Sequence, residues 1–245
     1  MQPRPYVREV TLDREAVTSF DDYPFNIPAI HAFEALGFHP DVTFFVGENG
    51  SGKSTLLEAI ALSLGFGPEG GTKSMRFQTA ETVSPLHDFL KVTRSFQAPR
   101  DGYFLRAESF YNVASFVDET GYLRGYGDKS LHQRSHGEAF LTLLTTKFRG
   151  KGIYLLDEPE AALSPSRQLA ALSAIDQLVK DESQFIIATH SPILLAYPRA
   201  KIVLFDGDGL TETRFEDTEH FAITKDFLNH YPRRLEVLLA DDIES

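Results

Sequence analysis

The stretch that most restricts the fold of this chain is FFVGENGSGKSTLLEAIALSLG, residues 44–65. An apolar run enters a glycine-rich turn. Apolar residues then recur at helical spacing (Leu56, Leu57, Ile60, Ala61, Leu64) until helix breakers cluster in GFGPEGG, 65–71. Gly47-Glu48-Asn49-Gly50-Ser51-Gly52-Lys53-Ser54 fits G-x-x-x-x-G-K-[ST], in the strand-before, helix-after setting that the pattern requires. The glycines let the backbone curl so that successive N–H groups face an anion, and the helix adds the positive end of its dipole. On this reading Lys53 reaches the β- and γ-phosphates of a nucleotide, and Ser54 offers its hydroxyl to Mg²⁺.

Three further segments bear on whether the chain uses a triphosphate. IYLLDEPE (153–160) is a buried-strand run ending in Asp157, which delivers a carboxylate to the sheet edge where α/β folds bind ligands. Asp157 is then the partner of Mg²⁺, and Glu158 stands one residue further on to orient or deprotonate a water. FIIATHSP (185–192) is another such strand and ends at His190, an imidazole able to donate to a γ-phosphate or to hold water and Glu158 in register. Ser135-His136-Gly137-Glu138 opens a helix. Serine with glutamate three residues on is a capping box, and a glycine-containing helix start is also an anion site; the segment alone does not choose.

Elsewhere, YVREVTL (6–12) alternates as a half-buried strand, LKVTRSF (90–96) and GYFLRA (102–107) are strand-like, and 138–148 and 165–180 read as helices. KIVLF and TETRF flank DGDGL as a hairpin, 217–240 reads as helical, and DDIES as a frayed acidic tail. Buried strands alternating with helices imply an α/β fold with a mainly parallel sheet flanked by helices. The irregular stretch 66–150 is read as a smaller inserted lobe within a single domain spanning 1–245, whose core is about 1–65 and 150–245. A formal net charge of −11 argues against a broad basic face for nucleic acid or anionic lipid. The absence of cysteine removes disulfides and thiolate metal sites. No run approaches the roughly 18 apolar residues of a membrane span, and the N-terminus lacks a signal-peptide core, so a cytoplasmic protein without direct membrane insertion is expected.

Taken together and in this order, GENGSGKST, SHGE, YLLDEPEAALS and ATHS resemble the nucleotide-binding domain of ABC-type ATPases, a P-loop NTPase group. The DEPEAALSP form is more similar to soluble RecF-like and SMC-like ATPases of the AAA kind than to transporter subunits. The resemblance implies ATP hydrolysis with Mg²⁺. Gly47 to Thr55 are identified as its Walker A loop, Asp157 and Glu158 as the end of Walker B, and His190 as the switch histidine. It also makes Ser135 to Glu138 the signature segment that caps ATP on the opposite subunit. Glu160 to Ser164 become the D-loop, and a head-to-tail homodimer closes over two ATP molecules. The chain departs from that pattern with His136 where glycine is usual, Glu138 where glutamine is common and Ser164 where aspartate is usual. Glu108 and Gln78 are both candidates for the Q-loop position, and Tyr23 and Phe25 for the aromatic that stacks on the base, against the plain alternative of surface and core residues.

Two other roles stand beside a free-standing ATPase: a DNA-maintenance or phage-defence ATPase working with nucleic acid or an effector protein, and the ATP-binding subunit of a membrane transporter. Asp206-Gly207-Asp208-Gly209 lacks the ligand positions of a Ca²⁺ loop and fits a hairpin turn. Arg233-Arg234 and the scattered Lys129, His132 and Arg134 are too sparse for a nucleic-acid footprint.

Overall fold

VTFFVG, GIYLLD and QFIIA form strands buried at every position, because each is covered on both faces. The computed structural model describes residues 4–75, 83–106, 115 and 135–240. In chain order its elements begin with β1 (Val7–Leu12), α1 (Pro28–His31), β2 (Ala35–Gly37), β3 (Val42–Gly47) and α2 (Lys53–Ser63). They continue with β4 (Leu90–Arg94), β5 (Asp101–Arg106), α3 (His136–Thr142), β6 (Gly152–Asp157), α4 (Pro165–Lys180) and β7 (Gln184–Ala188). The last are α5 (Pro192–Leu195), β8 (Ala200–Asp206), β9 (Gly209–Thr213) and α6 (Glu219–Leu238).

Six strands form one sheet in the order β5-β6-β7-β3-β8-β9, parallel except for the β8–β9 hairpin. Alternation of side chains along each strand divides the core in two. Phe44, Val46, Tyr154, Leu156, Phe185 and Ile187 face α3 and α4. Phe45, Ile153, Leu155, Ile186 and Ala188 face α2, whose Leu56, Leu57 and Ile60 are fully buried. Helices on both faces of a central sheet match the fold read from the sequence.

The sequence pattern did not foresee a second, antiparallel sheet, β2-β1-β4, packed over the α2 side through Val7, Val10 and Leu36. The fully buried Gln184 ties it to the main sheet. Its Oε1 accepts from the Val7 N–H (3.0 Å), and its Nε2 donates to the carbonyls of Val7 (2.9 Å) and His39 (3.1 Å). Within 66–150, β4 belongs to this second sheet and β5 lies beside β6 at the edge of the first.

The register decides where the site can form. Asp157 of β6 and Phe45 of β3 both pair with Ala188 of β7. The loops after these three strands therefore leave from one edge. The Glu158 N–H donates to the Ala188 carbonyl (2.9 Å) and the Thr189 N–H to the Phe45 carbonyl (3.1 Å), which locks the three exits together. Beyond β9, α6 is kinked at His230, where Pro232 cannot continue the hydrogen-bond ladder, and none of its side chains is buried. Among the described residues no helix is long and apolar enough to cross a membrane.

Candidate functional site

The turn between β3 and α2 keeps its shape because glycine occupies the positions that need it. Gly47 has φ +149°, and a Cβ there would stand 2.3 Å from the Phe205 carbonyl oxygen of β8. Gly52, the residue before α2, has φ +98°, and its added Cβ would meet Ile27 Cγ2 at 3.1 Å. A side-chain cap is absent at that helix start. Its first amides thus lack the usual Ser, Thr or Asp acceptor, as suits an anion-binding terminus.

Lys53 is 4% exposed, and its Nζ donates to the carbonyls of Gly47 and Glu48, both at 2.8 Å, so the ammonium lies inside the curl of its own loop. Burial pushes Lys53 below its ordinary value, while the carboxylates of Glu158, Asp157, Glu48 and Glu160 oppose the shift. Ser54, on the first turn of α2, donates its hydroxyl to Asp157 Oδ1 at 2.8 Å. This contact joins residues 103 positions apart and brings the loop to the tip of β6.

Glu158 adopts a left-handed backbone (φ 48°, ψ 51°), uncommon without glycine, at the turn before Pro159. Its Oε1 stands 3.6 Å from His190 Nε2. The His190 backbone N–H donates to Glu160 Oε1 at 2.6 Å. Burial first, and then the Lys53 charge, push His190 below its ordinary value; burial likewise raises Glu160, against the pull of the His190 amide. Lys53, Asp157, Glu158 and His190 thus face one another at a single edge.

A cleft of about 510 Å³ runs along the loop from Gly47 to Ser51, including Glu48, Asn49 and Gly50, and is closed opposite by Asp206 and the start of α6. A second cleft, of about 380 Å³, adjoins Ser54 and Thr55 and is walled by Tyr23, Ser84 and the ion pair of Glu58 with Arg106. Tyr23 is 61% exposed there, whereas Phe25 packs edge-on against Phe20 and Phe89 in the core, so only Tyr23 is free to meet a ligand. Glu108 and Gln78 lie outside the described residues, as do Lys129, His132, Arg134 and the acidic tail.

Ser135 to Glu138 are placed elsewhere, against α4. The capping box is formed: Ser135 Oγ accepts from the Glu138 N–H (3.3 Å), and Glu138 Oε2 from the Ser135 N–H (3.1 Å). Arg167 of α4 donates to both side chains, at 3.0 and 3.3 Å. A Cβ on Gly137 would come within 2.7 Å of the Ala162 carbonyl, so close packing against the turn after Glu158 requires glycine. Within one copy, then, this segment joins the turn at 159–162 and not the phosphate loop.

Sequence reasoning passed over His220 and Arg167. His220 Nε2 lies 3.0 Å from His190 Nδ1. Its one local signal is the helix cap TEHF, in which Thr218 Oγ1 accepts from the Phe221 N–H, and a cap says nothing of a partner 30 positions away.

Residues 25–117 match the AAA domain family. A curated relative from Haemophilus influenzae, described as an uncharacterized ABC transporter ATP-binding protein, is 26% identical over 189 residues, covering 66% of this chain and 68% of the relative. Among solved structures, the chain is similar to the SMC head domain from Thermotoga maritima, with 17% identity, a TM-score of 0.43 and coverage of 86% of this chain and 99% of that one. It is also similar to a nucleotide-free ATP-binding cassette from an ABC transporter, with 16% identity, a TM-score of 0.45 and coverage of 91% and 95%. The family match covers the glycine turn between β3 and α2, and the geometry of that turn is that of a phosphate-binding P-loop.

Proposed function

We propose that the chain is a cytoplasmic ATPase that binds ATP with Mg²⁺ and hydrolyses it as a head-to-tail homodimer opens and closes. The observation that carries this reading is the 2.8 Å contact of Ser54 with Asp157, beside the buried Lys53. A hydroxyl and a carboxylate already paired form an oxygen donor set suited to a hard divalent cation. Lys53, held only by loop carbonyls and surrounded by carboxylates, is poised to exchange those carbonyls for phosphate oxygens. The glycine curl from Gly47 to Gly52 and the uncapped start of α2 supply the amides of the Walker A loop.

Bound Mg²⁺ would neutralise charge developing on the phosphate oxygens. Glu158, at the Walker B end, takes the proton of the attacking water, and His190 senses the γ-phosphate. Most of the catalysis is positioning and electrostatics, as phosphoryl transfer demands. Tyr23 offers a ring to the base from the second cleft. Ser135, Gly137 and Glu138 act on the partner's nucleotide, since they pack away from their own loop, and Arg167 holds them in place.

The test is Glu158→Gln. Loss of a general base lowers turnover by about 10²- to 10⁴-fold, and the variant should accumulate as an ATP-bound dimer in size-exclusion chromatography with ATP and Mg²⁺. Wild-type turnover in the variant would remove Glu158 from its role, and a monomer under every nucleotide condition would end the shared-site reading.

The description of the curated relative supports a second reading, as the ATP-binding subunit of a transporter. Co-purification with a membrane protein favours that role. ATPase stimulation by DNA with steep salt dependence favours nucleic-acid work instead.

A further inference from the structure

His190 has a neighbour that none of the four motifs contains. α6 begins after the Thr218 cap, and its second residue, His220, presents Nε2 to His190 Nδ1 at 3.0 Å, the ring centroids 5.2 Å apart. The other ring nitrogen of His190 faces Glu158. Burial pushes both rings below their ordinary value; Lys53, Glu158 and Glu48 face His190, and His190, Lys53, Glu48 and Glu219 face His220. Two neutral imidazoles at hydrogen-bond distance share one proton, so one ring donates and the other accepts.

The Glu158 carboxylate decides which. At 3.6 Å from His190 Nε2, past hydrogen-bond reach, its negative charge favours a proton on that nitrogen, and His190 Nδ1 is then a bare lone pair that must accept. His220 is left as the donor. We propose that His220 is a positioning residue: its Nε2–H donates to His190 Nδ1 and holds His190 in the tautomer whose Nε2–H faces Glu158 and the nucleotide. This rests on the reading of His190 as γ-phosphate sensor. It adds that the start of the C-terminal helix, which also lines the cleft along the loop, sets the state of that sensor. The second nitrogen of a working histidine is generally fixed in this way by a donor or acceptor behind it.

Three variants of the full chain test the proposal. His220→Gln keeps an N–H donor at comparable reach, His220→Asn withdraws it by one methylene, and His220→Phe removes it. In nucleotide-free protein with ¹⁵N-labelled histidine, the His190 ring should show the Nε2–H tautomer in wild type and in His220→Gln, and a mixture in His220→Asn and His220→Phe. In ATP turnover, His220→Phe and His220→Asn should lower kcat about five- to tenfold, as expected for one lost hydrogen bond. KM should move less than about twofold, and His220→Gln should restore most of the rate. In a His190→Ala background the His220 variants should cost nothing further.

An unchanged His190 tautomer in both His220→Asn and His220→Phe overturns the proposal. So does a His220→Gln rate as low as that of His220→Phe. Since the tautomer is read without nucleotide, wild-type protein that binds ATP but never turns it over would sink the hydrolytic reading and leave the tautomer comparison decisive for His220.

Discussion

Placing a methyl group at Gly47 or at Gly50 separates two reasons why the loop carries glycine. Both residues have positive φ, +149° and +78°. Their surroundings differ. A Cβ on Gly50 meets nothing within 4 Å, whereas a Cβ on Gly47 lands 2.3 Å from the Phe205 carbonyl oxygen, against an ordinary contact of 3.4 Å or more. That oxygen is backbone, and Gly47 and Phe205 are paired at the end of the β3–β8 ladder, so neither strand can retreat without loss of pairing. Gly50→Ala therefore bears backbone strain alone, about 1–2 kcal/mol. Gly47→Ala adds overpacking against an immobile neighbour, for a combined cost of about 2–6 kcal/mol. Converted at about 2–4 °C per kcal/mol, the unfolding temperature should fall by a few degrees for Gly50→Ala and by roughly 5–20 °C for Gly47→Ala. Thermal unfolding followed by circular dichroism, without nucleotide and at fixed pH, measures both. Equal shifts would mean that φ strain alone explains the glycines, and that β8 does not press on the loop as described.

Two further outcomes follow from the same structure. His190 and His220 are held below the ordinary 6.5, chiefly by burial, so below that value the unfolded chain binds more protons and stability falls as pH drops. The raised Glu160 works with the opposite sign, adding stability that is lost as pH rises through its folded value. Comparing unfolding temperatures of wild type and His220→Gln from about pH 7.5 to about pH 5.5 isolates the His220 share, and an equally steep fall in both would refute that share. At the opposite end of β6, the Tyr154 hydroxyl accepts from the Arg149 N–H (2.8 Å) and lies 2.8 Å from Asp101, while the ring stacks on Phe148 at 4.2 Å. Tyr154→Phe keeps the stack and removes the hydroxyl, so it should cost about 1–3 kcal/mol in urea unfolding; an unchanged midpoint would show the network to be idle.

What could be read from residues alone was whatever is local. The phosphate loop, the buried runs ending at Asp157 and near His190, the DGDGL hairpin and the capping box at Ser135 each write their geometry into a few consecutive positions, through glycine φ, side-chain period or cap chemistry. The neighbourhood of the strands of Asp157 and His190 was an inference from their similar patterns, and the register through Ala188 supplies the physical cause. Relations across the chain had no such signal. Nothing near Val7 announces that Gln184 will pair with it, and nothing near Glu219 announces that the next residue will touch His190. Tyr23 and Phe25 are two positions apart and equally aromatic; only packing against Phe20 and Phe89 puts one in the core and leaves the other at the cleft. Sequence by itself determined which chemical groups exist and which local shapes they force. Tertiary structure decided which of them meet, because burial and strand register act between residues that the chain holds far apart.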